Sequence, residues 1–262
     1  YSRKITSSAA NTVASGSYHT VRYAVEGFDA AQLNCGNSSA KTVTLSFYVK
    51  SSITGNFGLN FTNSANNRSY PVVYTITGND WEQKTITLTL DTSGTWLTDS
   101  SVGLEINWKL ALGSNYDSSD PNQWQNNWRF PENTVNLLAT NGATFQLTGV
   151  QLEVGSQATT FEHRSIGEEL SRCQRYFISG KAAIGSVYNG EAGNQQQGVY
   201  VTYPVIMRAN PSITFPINHD TLNVTNADYT QFESTTGFSY RVNLLANGNY
   251  KRQSTYHASS EI

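Results

Sequence analysis

Thr148-Gly149-Val150-Gln151-Leu152-Glu153-Val154-Gly155, continuing through Phe161-Glu162-His163-Arg164 to Cys173-Gln174-Arg175-Tyr176-Phe177, decides how this chain is organised. Phe145 and Leu147 share one strand face, and Val150, Leu152 and Val154 then take the opposite parity. Because side chains alternate across a strand, a one-residue slip moves half of these apolar groups to the wrong face. A β-bulge at Thr148-Gly149 repairs the parity, with glycine supplying the permissive backbone. The bulged strand closes one β-domain. Ser165-Ile166-Gly167-Glu168 then has the pattern of a capping box. Ile166, Leu170, Cys173 and Phe177 follow at helical spacing on one face. Glu168 and Glu169 in the first turn, with Arg172 and Arg175 near the end, complement the helix dipole, and Glu168 and Arg172 form an i,i+4 pair. The predicted helix spans about three turns.

Upstream, the period of two is strong. Val43, Leu45, Phe47 and Val49 alternate with Thr42, Thr44, Ser46 and Tyr48. The pattern recurs at Phe57-Leu59-Phe61, Val72-Tyr74-Ile76, Ile86-Leu88-Leu90 and Val102-Leu104-Ile106-Trp108. Each run predicts a half-buried strand with one face in water. Turn chemistry separates them at Thr54-Gly55-Asn56, Thr77-Gly78-Asn79-Asp80 and Thr92-Ser93-Gly94. Many short strands at this spacing predict an all-β fold, a jelly-roll β-sandwich. Downstream, 180–198 is rich in Gly, Asn and Gln and predicts a loop with one weak strand. Strand patterns resume at Val199-Val201-Tyr203-Val205, Ile213-Phe215-Ile217 and Phe238-Tyr240-Val242-Leu244. Pro204, Pro211 and Pro216 require some of these to be edges or to end early. The expected organisation is a sandwich over 1–164, a linker helix over 165–178 and a smaller C-terminal β-domain over 179–262. A domain of that last size benefits from a partner chain.

Composition narrows the function. Charged residues are 14% of the 262, against roughly 25% in an ordinary soluble domain, and the net charge is −2. No electrostatic footprint for nucleic acid or an anionic membrane is present, and no apolar run is long enough to span a bilayer. The two cysteines, Cys35 and Cys173, read better as free buried thiols than as a disulfide. His19, His163, His219 and His257 are scattered without metal-ligand spacing, and no nucleophile elbow, P-loop or dinucleotide fingerprint occurs. No cofactor, metal or catalytic residue is expected. The Asn-x-Ser/Thr triplets at Asn37, Asn60, Asn67 and Asn223 are what chance gives in so Asn- and Thr-rich a chain. A first residue of Tyr1 and a single methionine, Met207, point to a processed or truncated chain.

The best binding candidate is the long loop from Gly113 to Pro131. Tyr116, Trp124 and Trp128 offer flat apolar faces for the C–H faces of a sugar ring. Asp117, Asp120, Asn126, Asn127 and Arg129 offer directional hydrogen bonds to hydroxyls. The same tryptophans fit a second role equally well, pinning the loop to the sandwich or filling a subunit interface. Asp117, Asp120 and Glu132 near these rings also admit a polysaccharide-cleaving site, which needs two facing carboxylates.

From about Val25 the chain resembles a family of phage and prophage virion proteins, chiefly tail-fibre or related structural proteins with a carbohydrate-binding-module-like domain. The stretches that carry this are Val25-Glu26-Gly27-Phe28-Asp29, Lys41 to Ser52, Asn66-Asn67-Arg68-Ser69-Tyr70-Pro71 and Asp91-Thr92-Ser93-Gly94-Thr95-Trp96-Leu97. The most specific are Thr148 to Ser156, Thr160-Phe161-Glu162 and Cys173-Gln174-Arg175-Tyr176-Phe177, with a looser match at Pro204 to Pro211. The resemblance implies a sugar-binding-type jelly roll on a virion appendage, commonly a homotrimer, contacting other virion proteins and bacterial surface polysaccharide without enzymatic activity. A purely architectural head or tail decoration or adaptor is the other implied role. Related modules place a calcium-site Asp in the last core strand. Leu147-Thr148-Gly149-Val150 lacks it, so no calcium is expected. Three copies of Leu170, Cys173 and Phe177 would pack near a trimer axis, or the same face would cover the chain's own sandwich.

Overall fold

A computed structural model describes residues 2–188, 196–224, 229–246 and 248–261, and the chain divides into two compact units, up to Glu162 and from His163 to Glu261. The first unit contains β1 (Arg3–Thr6), β2 (Tyr18–Glu26), α1 (Gly27–Ala30), β3 (Thr42–Ser51), β4 (Gly55–Thr62), β5 (Arg68–Ile76) and β6 (Glu82–Thr89). It continues with β7 (Val102–Leu112), β8 (Asp117–Ser118), β9 (Gln125–Asn126), β10 (Phe130–Pro131) and β11 (Thr144–Val154). One sheet has the order β1-β11-β3-β6 and the other β2-β7-β4-β5-β9, while β8 and β10 form a short parallel pair. The long strands are antiparallel throughout. This is the jelly-roll β-sandwich the alternation predicts, in an all-β protein.

The core lies between the sheets. Phe47, Phe57, Phe61, Phe145 and Trp108 are fully buried, each side chain of this kind contributing about 1.5–3 kcal/mol through burial. Phe47 meets Tyr74 and Trp108 edge-on at 5.3 and 5.6 Å, the geometry that ring quadrupoles favour. Cys35 packs against this core, and burial, with Asp91 nearby, pushes its thiol up to about 12.

The parity break in β11 is a bulge. Thr148 pairs with Tyr48 and Gln151 with Ser46, so β11 spends one residue more than β3 over the same span. Gly149 takes φ +57 there, and a Cβ on it would stand 3.1 Å from the Tyr48 ring. Leu147 before the bulge is buried, and Val150 and Leu152 after it pack on the core. Val154 departs from the expected pattern and is exposed, because it lies at the strand's end. The polar residues of the same stretch hold the tail that follows. Glu153 accepts from the Thr159 hydroxyl and amide at 2.5 and 3.1 Å, and Gln151 accepts from the Glu162 amide at 2.8 Å.

Two central strands differ from the half-buried expectation. In β7 every residue from Val102 to Ala111 is buried, and in β4 every residue from Phe57 to Thr62. The second face of this sheet is covered, so Asn60, Glu105, Asn107 and Lys109 lie inside the unit. Alternation shows which side faces the core and is silent on whether the other side is roofed.

The second unit opens with α2 (Ile166–Gln174) and continues with β12 (Phe177–Tyr188), β13 (Gln196–Thr202), β14 (Ser212–Leu222), β15 (Tyr229–Ser234), β16 (Gly237–Asn243) and β17 (Gly248–Ser259). Its sheets have the orders β12-β17-β14 and β13-β16-β15. Ser165 caps α2, accepting from the Glu168 amide at 3.2 Å. The Glu168 carboxylate turns to Arg172 at 3.1 Å instead of back to the cap. Nine residues long, the helix ends at Gln174, so Phe177 belongs to a strand and not to the helical face. Ile166 and Leu170 are 88% and 53% exposed, and Cys173 is exposed too, contrary to the buried thiol expected there. The predicted Gly-rich loop is also revised: 180–188 completes β12, strand resumes at Gln196, and 189–195 lie outside the described residues. Pro216 sits in the edge strand β14 where its pairing with β17 shifts register, as an interior proline requires. Phe238, Tyr240 and Val242 are fully buried.

All five tryptophans, at 81, 96, 108, 124 and 128, fall in the first unit, so their emission follows its unfolding selectively. Gly149→Ala is expected to destabilise that unit by about 1–2 kcal/mol, the cost of an L-residue in the left-handed region. Gly149→Asn should lose less, since asparagine visits that region more readily. Denaturant titrations followed by tryptophan emission check both, and an unchanged Gly149→Ala midpoint would refute the bulge constraint.

Candidate functional site

The roof over β4 and β7 includes the loop from Gly113 to Pro131, held by hydrogen bonds to buried side chains. Asn60 Nδ2 donates to the Arg129 carbonyl at 2.9 Å, and Asn107 Nδ2 donates to Asn60 Oδ1 at 3.2 Å. Ser69 Oγ donates to the Asn127 carbonyl at 2.7 Å and accepts from the Arg129 amide at 3.0 Å. Lys109 Nζ donates to the Pro131 carbonyl at 3.1 Å and pairs with Asp117 at 3.4 Å. Burial lowers the Lys109 pKa, and Asp117 opposes that shift. This is a conformation fixed by the sheet beneath it.

The start of the loop is stitched to the segment before β2. A Cβ on Gly113 would lie 2.1 Å from the Ala14 carbonyl oxygen, so only glycine allows the approach. Gly113 N donates to Ser17 O at 2.9 Å and Asn115 N to Ser15 O at 3.1 Å. This brings Tyr18 onto the loop. Its ring meets Trp128 at 4.9 Å and Tyr116 at 5.8 Å, both edge-on. Tyr116 meets Trp128 at 5.2 Å, and Trp128 rests on the buried Phe130 at 4.9 Å. Tyr116 Oη donates to Gly16 O at 3.1 Å.

Six of the eight predicted site residues therefore fall into two groups, and Asp120 and Asn127 belong to neither. Tyr116, Asp117, Trp128 and Arg129 gather around Tyr18 and Asn115. Arg129 Nη1 donates to Asn115 O at 2.7 Å and lies 3.5 Å from Asp117 O. Trp124 and Asn126 belong to another set. Trp124 packs on Tyr70 and Trp96 at 5.3 and 5.5 Å and donates its indole N–H to Thr89 O at 2.8 Å. Asn126 accepts from Arg68 Nη1 at 2.8 Å, and Arg68 is bound to Asp91 through Nε at 2.5 Å. Trp124 thus pins the loop, the second of the roles its sequence allows. Asn127, exposed at φ +69, and Asp120, exposed, contribute backbone bonds: Asn127 N to Asn67 O at 2.9 Å and Asp120 N to Ser118 Oγ at 3.2 Å.

The ranking within the first group also changes. Trp128 is half-buried, with its indole N–H buried and without a partner among the described residues, whereas Tyr18 is 55% exposed. Tyr18 is the accessible ring, and Trp128 and Tyr116 support it. Sequence reasoning missed Tyr18, since only the chain crossing at Gly113 brings it to the loop. The carboxylates of Glu82, Glu153, Asp220 and Glu233 are all held below their ordinary pKa by hydrogen bonds. That direction is the opposite of what a general acid needs.

Ser69→Ala removes both a donor to the loop and an acceptor from it, an expected loss of about 1–3 kcal/mol. Hydrogen exchange should rise in 125–131 beyond the change in β3 and β11. Uniform exchange across the unit would show that Ser69 does not hold the loop. No family model and no curated protein matches the chain. Among solved structures, wild-type discoidin II from Dictyostelium discoideum aligns with 100% of this chain and 94% of its own, at 10% identity and a TM-score of 0.26. A native structure of recombinant discoidin II from the same organism aligns over 98% and 94%, at 10% identity and a TM-score of 0.24. The jelly-roll assignment rests on the sheets themselves.

Proposed function

We propose that this chain is a non-enzymatic glycan-binding protein of a virion appendage, the distal part of a phage tail fibre that contacts host-surface polysaccharide. One observation carries the binding role. An exposed tyrosine, Tyr18, rests on two rings of a loop already fixed by buried hydrogen bonds, and the Asn115 carbonyl next in chain to one of those rings anchors the Arg129 guanidinium. A sugar presents an apolar C–H face and a rim of hydroxyls, and this arrangement offers a partner for each. Prior fixing of the loop lowers the ordering cost of binding. The virion setting is supported by the sequence resemblance at Thr148–Ser156 and Cys173–Phe177.

A homotrimer is part of the same reading, assembled through the second unit. Ile166 and Leu170 on α2 are 88% and 53% exposed, as a face awaiting a partner chain would be. That exposure also favours the alternative reading, an architectural head or tail protein whose surfaces serve protein contacts.

On a glycan array, the wild-type protein should bind a subset of bacterial surface glycans, and Tyr18→Ala should lose that binding at unchanged thermal stability. Binding retained by Tyr18→Ala would remove the site, and no binding by the wild type would leave the architectural role. Sedimentation equilibrium should return three chains per particle, with Leu170→Glu dissociating them. A monomer at micromolar concentration contradicts the trimer.

A further inference from the structure

Three arginines of the first unit are held by polar partners, and two of these pair with carboxylates. Arg22 Nη2 contacts Glu105 at 2.7 Å, and Arg68 grips Asp91 through Nε at 2.5 Å and Nη2 at 3.1 Å. Arg129 differs. Its Nη1 is held by the Asn115 carbonyl at 2.7 Å and approaches that of Asp117 at 3.5 Å, both uncharged acceptors. Among the described residues no carboxylate forms an ion pair with it, and Asp117 directs its carboxylate to Lys109. The side chain is half-buried. A guanidinium anchored at one nitrogen keeps its Nε and Nη2 donors side by side, the fork that fits a planar carboxylate.

The position matters as much as the charge. Tyr116, next in chain to the anchoring Asn115, packs on Trp128 at 5.2 Å and on Tyr18 at 5.8 Å. Arg129 is the residue after Trp128. The ring that meets Tyr18 is therefore next in chain to the residue whose carbonyl anchors Arg129, a cation with no carboxylate partner among the described residues.

We infer that the Tyr18 site selects acidic sugars, with Arg129 pairing the carboxylate of a uronic-acid-type residue through Nε and Nη2. This rests on the glycan-binding reading above and narrows it to a class. A neutral sugar would leave the partly desolvated cation without a charged partner, and one hydroxyl does not fill the two-donor fork.

The test uses oligogalacturonate, hyaluronan fragments and alginate fragments, each native and carboxyl-reduced, with a neutral glycan array alongside. Wild-type protein is expected to bind at least one native acidic fragment roughly tenfold or more tightly than its reduced form, the scale of one charge-assisted hydrogen-bonded pair. Arg129→Gln should bring native fragments down to the level of reduced ones, and Arg129→Lys should recover only part of the difference. Circular dichroism and tryptophan emission confirm that both variants are folded. Equal affinity for native and reduced fragments, or a preference that survives Arg129→Gln, overturns acidic selectivity while leaving glycan binding intact. Binding confined to neutral glycans does the same. No glycan bound by any arm removes both readings together.

Discussion

The hydrogen bond from Asn107 to Asn60, buried at the centre of the five-stranded sheet, sets the terms for the first unit. Two amides in adjacent strands cannot face a dry interior without partners, and each unmet group there costs about 1–3 kcal/mol. Asn107 also reaches Glu105 at 3.5 Å, and Glu105 is neutralised by Arg22. Asn60 passes the chain of bonds on to the Arg129 carbonyl. The roofing loop is thus required by the polar residues beneath it. The candidate site at Tyr18 and Arg129 stands on that roof, so its geometry derives from the sheet.

The division of labour between the tryptophans follows the same logic. Trp124 spends its N–H on the Thr89 carbonyl and its faces on Tyr70 and Trp96, which makes it a pin. Trp128 spends its ring edges on Tyr18, Tyr116 and Phe130, which makes it a support. The exposed ring can be a tyrosine because the larger Trp128 and a second tyrosine, Tyr116, hold it in place. An aromatic surface so braced loses little side-chain entropy when a ligand settles on it.

Much of the fold was legible in the residues. Val43 to Val49 and Phe57 to Phe61 announce their strands, and the parity change between Leu147 and Val150 announces the bulge at Gly149. The capped start of α2 was also legible from Ser165. Other features lay beyond such patterns. β17 buries Tyr250, Arg252, Ser254, Tyr256 and Ala258 on one face. Two of those five are polar: Ser254 accepts from Tyr240 and donates to Asn218, and Arg252 binds Thr221. A polar residue turned inward against a partner far along the chain erases the alternation that marks a strand. The candidate site was half legible for a related reason. Loop composition pointed to Trp128 and Arg129, but Tyr18 joins them only through a crossing of chain segments distant in sequence.

The second unit begins and ends its sheet with partners. Phe177, which opens β12, pairs with Ser259, which closes β17, and the ladder runs from there without a register shift to Tyr188 and Gly248. Entry and exit therefore lie side by side at one end of a twelve-residue strand pair. Tension that drew these two ends apart would open the ladder rung by rung like a zip, loading one pair of residues at a time. A pull that loaded all rungs in shear would meet far more resistance. The direction of pull is therefore the quantity that governs how much force this strand pair withstands.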